Sequence, residues 1–153
     1  MRLLQRLPRP LLVFFTVIGP GFITAMVDND AGGMMNSDFI SVLDTATVAD
    51  ALKAIAENAE QVDTLTNLFL VDADGRLSAS LPVARLLLAN VATPLRTLAG
   101  DDVVVSVPVT ERRARVVELV DKYNLMALPV IDEAGLLIGS ITADDIISVL
   151  RQD

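Results

Sequence analysis

Acids at turns and helix starts carry most of the chemistry this sequence offers. Thr142-Ala-Asp-Asp145 sets a hydroxyl and a carboxylate one turn apart where an apolar helical run begins. Each side chain can then reach the other's backbone amide, the reciprocal bonding of a helix cap. Asp72, Asp74, Asp132 and Glu133 fall in two Asp-x-x-Gly turns, and Asp101-Asp102 precedes a run of valines. Hard carboxylate oxygens suit Mg²⁺, which keeps several waters and needs only one or two protein carboxylates. Turns favour Asp for backbone reasons as well, so a solvated-turn reading stands beside the metal one. Arg112, Arg113 and Arg115 form the one basic cluster, suited to a phosphate, an acidic partner or a solvated face. Cysteine and histidine are absent, which removes thiolate chemistry, the usual general base and the usual transition-metal ligand. No nucleophile–base constellation is assembled from what remains, so the chain does not read as an enzyme.

The elements that position these residues are written twice. Val71-Asp-Ala-Asp-Gly-Arg-Leu77 and Ile131-Asp-Glu-Ala-Gly-Leu-Leu137 match, and the match continues at Ser80/Ser140, Leu81/Ile141, Leu86/Ile146 and Leu87/Ile147. Each copy predicts an apolar strand, a tight turn, a second strand, a cap and an apolar helix, with a strand and helix ahead of them. A unit repeated in this way cannot bury its faces alone, so the two copies should pack on each other. In the first copy Thr47 is a candidate N-cap with Asp50 three residues on, and Val48, Ala51, Leu52, Ile55, Ala56 and Ala59 form one helical stripe. Leu68–Val71 and Leu77–Leu81 are its strands, and Pro82–Ala89 its second helix. In the second copy Val103–Val107 is the entry strand and Thr110 caps a helix reaching about Tyr123. Leu128–Ile131 and Gly139–Ile141 are the hairpin, and Thr142–Leu150 the last helix. The expected division is 1–36, 37–91 and 92–153, with 92–100 joining the copies.

Charge and hydropathy divide the chain differently. Hydrophobic residues make up 52% of it and the mean hydropathy is +0.53, high for a soluble protein. Leu11–Val27 holds no charge at all. Before Asp28 the only charged residues are Arg2, Arg6 and Arg9, and from there on 20 acids face the other 9 bases, giving a head of +3, a body of −11 and a net −8. A body this acidic repels phosphate backbones and excludes nucleic acid as a partner class, while suiting cations or cationic surfaces. The uncharged run admits three readings: a secretory signal, a buried core helix, or a membrane segment interrupted by Gly19-Pro20-Gly21. The third is the expectation here.

Gly19-Pro-Gly-Phe22 followed by Asp30-Ala-Gly-Gly33 resembles the first transmembrane helix of the NRAMP (natural-resistance-associated macrophage protein) family of divalent-metal transporters, over residues 10–33. The resemblance implies an unwound helix with Asp30 as a metal ligand. The family's Pro and Asn fall on Ala31 and Gly33, so one ligand is missing. The other transporter helices are absent from this chain.

Leu128-Pro-Val-Ile-Asp-Glu-Ala-Gly-Leu-Leu-Ile-Gly-Ser-Ile-Thr-Ala-Asp-Asp145 closely resembles a CBS (cystathionine-β-synthase) domain. With the repeat, residues 37–152 resemble a CBS pair like the cytosolic module of MgtE-type magnesium channels. The resemblance implies an α/β (α+β) fold, β-α-β-β-α in duplicate as a Bateman-type module, here behind an N-terminal apolar helix. It also implies adenine nucleotide (ATP, ADP or AMP) bound between the repeats, or a cation such as Mg²⁺ sensed there, and a homodimer. The family's ribose-binding Thr/Ser-x-x-Asp falls on Thr142 and Asp145, with Gly139, Pro129 and Val130 beside them as nucleotide-binding candidates. The first copy has Pro82 and Arg85 at the ribose positions and Ala79 at the glycine, so at most one site looks intact. Asp30, Asp72, Asp132 and Glu133 are the metal candidates.

Basic residues 2, 6 and 9 favour a cytoplasmic N-terminus, and one complete span would then carry the pair outside, where adenine nucleotides are scarce. The expectation is a truncated or rearranged gene product, membrane-associated, with its CBS pair on the cytoplasmic side and a membrane or transporter partner. The function expected is regulation of magnesium or other divalent-metal transport, with a component of an NRAMP-like transporter as the alternative.

Overall fold

The computed structural model describes residues 30–58, 60, 64–101 and 103–152. The apolar run at 11–27 with its Gly-Pro-Gly, together with Ala59 and Asp102, lies outside them. Among the described residues no helix is long and apolar enough to cross a membrane.

Two three-stranded sheets form an α/β pair with the same internal order. In the first, β1 (Ser41–Leu43) runs parallel to β2 (Asn67–Val71), which runs antiparallel to β3 (Leu77–Pro82). In the second, β4 (Val107–Pro108), β5 (Ala127–Ile131) and β6 (Leu137–Thr142) repeat the arrangement. Register is repeated to the residue. Leu70 faces Ala79 as Val130 faces Gly139, and each hairpin is irregular at the next position. Both turns use a glycine at φ +86°, Gly75 and Gly135, a conformation that favours a residue without a Cβ. Both are held by an aspartate. Asp72 Oδ1 accepts from the amides of Asp74 and Arg76 at 2.9 and 3.0 Å, and Asp132 Oδ1 from those of Ala134 and Leu136 at 2.9 Å each.

The two hairpin tips bond to each other. Leu77 N–H donates to Gly135 O at 3.0 Å, Leu137 N–H to Gly75 O at 3.2 Å, and Arg76 Nε to Ala134 O at 3.2 Å. Phe39, Phe69, Val71, Ala127 and Leu137 form a buried cluster drawn from both copies, with Phe39 and Phe69 edge to face at 6.1 Å.

Two short helices cross between the copies. α1 (Ala31–Met34) precedes the first copy yet buries Ala31 and Met34 in the second core, with Val116, Leu128 and Ile141. α3 (Leu95–Ala99) precedes the second copy yet buries Leu95 and Ala99 in the first core, with Val48, Leu68 and Leu81. Segments grouped by sequence with the apolar head and with the joining stretch therefore complete the opposite halves.

The long helices behave largely as expected. α2 (Val48–Ala56) starts at Thr47 with a full capping box, and buries Val48, Ala51 and Ala54. Leu52, placed on the buried stripe by periodicity, is 40% exposed. α4 (Arg113–Tyr123) ends at Asn124 in the left-handed region, as the expected boundary requires. Its start differs. Arg112 occupies the N-cap without a side-chain bond, and Thr110 lies two residues too early to cap it. The expected entry strand over 103–107 shrinks to Val107–Pro108, and Val103 stands 91% exposed. The first copy's second helix is a 3-10 helix over Val83–Leu88, with no side-chain cap at Pro82 and with Leu87 and Leu88 exposed. In the second copy α5 (Ala143–Gln152) is a full α-helix.

The caps of α2 and α5 have nearly the same bond lengths, so Thr47→Ala and Thr142→Ala should each cost about 1 kcal/mol. Urea denaturation should show both midpoints lowered to a similar extent with the slope unchanged.

Candidate functional site

Two clefts separate the copies, each with one wall from either repeat. Strand register makes their equivalent positions explicit. Val42 pairs with Leu70 as Val107 pairs with Val130, and Ala31 N–H donates to Glu111 O as Leu95 N–H donates to Ala46 O, so within the entry segments Ala31 corresponds to Leu95 and Met35 to Ala99.

The first cleft holds the Thr-x-x-Asp motif. Thr142 N–H and Oγ1 both donate to Asp145 Oδ2, at 2.8 and 2.9 Å, and Asp145 N–H donates back to Thr142 Oγ1 at 3.2 Å. The helix cap anticipated from sequence is thus formed. The same Oδ2 accepts a third bond from Asn36 Nδ2 at 2.7 Å, across 109 residues of sequence. Asn36 is held there by its backbone, its N–H donating to Ser140 O at 2.8 Å and its C=O accepting from Ser140 N–H at 3.0 Å. Beside it the Met35 side chain lies over Gly139, where an added Cβ would come within 2.5 Å of Met35 Sδ, 3.1 Å of Cγ and 3.2 Å of Cβ. Gly139 therefore makes room for methionine. Met35 and Asn36 of the entry segment thus stand against Gly139 and Asp145 in the cleft that keeps the intact motif.

The second cleft is open. A cavity of about 330 Å³ is lined from the first copy by Thr66, Asn67, Ala79, Ser80, Pro82 and Arg85. Ala99 and Val103–Val105 line it from the connection, and Asn124–Ala127 with Pro129 from the second copy. Here Ala99, the counterpart of Met35, brings a much shorter side chain to the cavity wall. Arg85 Nη1 donates to Leu98 O at 3.1 Å, and Asn67 Nδ2 to Ser80 Oγ at 3.0 Å.

The residues singled out by sequence are thus divided. Thr142, Asp145 and Gly139 stand together beside Asn36 and Met35. Pro129 lines the open one, beside Pro82 and Arg85. Val130 is fully buried in the second core, so its side chain reaches neither cleft. Alternation along β5 separates the two neighbours. Asn36 and Met35 were missed. They were read as the end of the head, and only the strand register reveals that they face Ser140 and Gly139. Of the metal candidates, Asp72 and Asp132 each commit one oxygen to turn amides, and Glu133 is exposed. Asp30, expected as an intramembrane ligand, is the N-cap of α1. Its Oδ1 accepts from Gly33 N–H at 3.1 Å, and its backbone forms a bridge to Arg112. Among the described residues no three acids converge in a way that could hold a metal ion.

The family model for the CBS domain matches residues 31–89 and 100–152. The first of these matches takes in Ala31–Gly33, which the sequence reading gave to a transporter helix. The chain is 30% identical over 126 residues to the magnesium transporter MgtE of Thermus thermophilus, and 28% identical over 126 residues to that of Enterococcus faecalis. Each match takes in 82% of this chain and 28% of the relative, so the chain spans little more than a quarter of the curated relatives it matches. Among solved structures it resembles the cytosolic domain of the Mg²⁺ channel MgtE in complex with ATP, with a TM-score of 0.75 and 30% identity over 80% of this chain and 49% of that one. It also resembles the soluble part of a magnesium transporter, with a TM-score of 0.78 and 26% identity over 86% of this chain and 51% of the other.

The Met35–Gly139 contact predicts a specific coupling. Gly139→Ala alone should destabilise by about 1–3 kcal/mol through overpacking. In the Met35→Ala background the same change should cost at least about 1 kcal/mol less, which a double-mutant cycle by urea denaturation measures.

Proposed function

We propose that this chain, which belongs to the CBS domain family, is a regulatory rather than catalytic module of divalent-metal transport, responding to adenine nucleotide, to Mg²⁺, or to both. The observation that carries the reading is the Thr142–Asp145 pair at a cleft between two copies, in a chain 30% identical to an MgtE domain whose structure is described with ATP bound. The relatives' names supply the connection to magnesium.

In this reading ATP, ADP or AMP enters beside Gly139, with its ribose hydroxyls donating to Asp145 and Thr142 Oγ1 reaching ribose or phosphate. A ribose hydroxyl then competes with the Asn36 amide for Asp145 Oδ2. Nucleotide would break the Asn36 bond, loosening one entry segment from the opposite copy. Binding acts on the module only through its difference in affinity between the closed and loosened arrangements. Mg²⁺ would act with the nucleotide phosphates, or by reducing repulsion within the acidic body and across a homodimer formed by two CBS pairs. The module would stand on the cytoplasmic side of a membrane transporter that it regulates.

Calorimetric titration of ATP, ADP and AMP into the full chain, with and without Mg²⁺, tests this. Saturable binding is expected with at least one nucleotide, and Asp145→Asn, which keeps an oxygen for the cap, should abolish it. Asn36→Ala removes the competing donor and should tighten binding about five-fold, the equivalent of roughly 1 kcal/mol. No heat from any nucleotide, in the wild type and in Asn36→Ala, overturns the nucleotide reading.

A further inference from the structure

The open cleft has the opposite chemistry from the Thr142–Asp145 cleft. At the two positions equivalent to Thr142 and Asp145 it presents Pro82 and Arg85, so a hydroxyl and a carboxylate are replaced by a ring without a donor and a guanidinium. Guanidinium has five N–H donors and no acceptor, so it cannot receive the hydroxyls of a sugar diol. It does match the paired oxygens of a carboxylate or a phosphate, and holds them by charge-assisted bonds. Arg85 is set for that task. One Nη1 hydrogen is given to Leu98 O at 3.1 Å, which ties the side chain to the crossing helix α3 at the cleft wall. The remaining N–H groups of the fork face no carboxylate partner among the described residues.

The rest of the lining agrees with an anion that carries an apolar body. None of the described residues lining the cavity is acidic, although the chain has 20 acids against 12 bases. Val103, Val104, Met126 and Pro129 give apolar walls, while Ser80 and Asn124 add neutral polar groups. A cavity of about 330 Å³ is several times the size of a bare inorganic anion, and lies within the ordinary range for small-molecule sites.

We propose that the open cleft binds an organic anion, with Arg85 receiving its carboxylate or phosphate group and the Val104–Met126–Pro129 walls taking its apolar or planar body. The site does not depend on sugar hydroxyls, and it is separate from the Thr142–Asp145 cleft, so either can exist without the other. Its walls come from both copies and from α3, so an occupant bridges the halves at the place where Met35 bridges them in the other cleft.

The test uses the full chain carrying Asp145→Asn, so that the other cleft contributes no nucleotide signal. Phenyl phosphate, benzoate and AMP are titrated as anionic probes, with benzyl alcohol and adenosine as neutral counterparts, while backbone amide resonances are followed by NMR. At least one anionic probe is expected to saturate, with shifts centred on Val103–Val105 and Asn124–Ala127. Its neutral counterpart should bind at least about tenfold more weakly, and Arg85→Gln should weaken the anion by a similar factor, with Arg85→Lys restoring part of it. Phenyl phosphate against benzoate distinguishes a phosphate ester from a carboxylate as the preferred head group. The proposal is overturned if no probe moves these amides, if charged and neutral probes bind alike, or if Arg85→Gln leaves the anion's affinity unchanged. Asp145 plays no part in this cleft, so failure here leaves the reading of the Thr142 site standing, and failure there leaves this one.

Discussion

The exchange of α1 and α3 between the copies is the constraint on which the rest of the structure depends. Each β-α-β-β unit has a core that its own residues do not close, and the missing pieces come from the segment ahead of the other unit. Ala31 and Met34 seal the second core, and Leu95 and Ala99 the first. Neither copy is then an independent folding unit, and the shared cluster around Phe39, Phe69 and Leu137 joins them further. The clefts follow from the same exchange. Each entry segment must run between the two sheets to reach the opposite core, and so forms a wall of a cleft on its way. Any ligand in either cleft touches both copies and a crossing segment, which is the geometry needed to couple occupancy to their relative placement.

Approximate twofold repetition makes the departures from it informative. The backbone repeats down to the turn glycines, the hairpin irregularities and the aspartate-held turns. The side chains at the clefts do not. Met35 over Gly139 is matched by Ala99 in the cavity that Ala79 also lines, so a long side chain beside a glycine is replaced by two alanines. The motif residues are exchanged too, Thr142 and Asp145 for Pro82 and Arg85. One fold therefore presents a carboxylate held by Asn36 in one cleft and a guanidinium beside an open cavity in the other. A duplicated scaffold can diverge in this way because cleft side chains contribute less to the cores than the strands behind them.

What could be read from the sequence was what repeats locally. The hairpins were legible because an Asp-x-x-Gly turn between apolar runs has a mechanism, and both aspartates bond as that mechanism requires. The capping boxes at Thr47 and Thr142 were legible for the same reason. The crossing helices were not. α1 has four residues and α3 five, too short for helical periodicity, and Ala31-Gly-Gly-Met34 adjoins an apolar run that attracted it to a different reading. Pro129 and Val130 were assigned together by resemblance, although adjacent strand residues face opposite sides. The open cleft was hidden for a further reason. Its walls come from segments far apart in sequence, and the short side chains of Ala79 and Ala99 reach one cavity only in the folded chain.

The acidic balance of the body takes on a different meaning once its acids are placed. Asp50 and Asp145 cap helices, Asp72 and Asp132 hold turns, and buried Asp44 accepts from Ser78 Oγ at 2.9 Å and pairs with Arg96 at 2.8 Å. These carboxylates have their geometry fixed by folding, and moving them to a metal would undo the bonds that place them. Of the others described, Asp74, Asp101, Asp121, Glu133 and Asp144 are exposed. Without a convergent set among the described residues, a divalent ion acting on these residues alone meets a diffuse field rather than a cage. Its effect would scale with ionic strength and valence, since screening length depends on both. Selectivity for one cation would then have to come from a bound ligand that supplies further oxygens, or from an interface that brings acids of two molecules together. Cation response and ligand binding in this module are for that reason coupled questions, and the clefts are where the coupling would arise.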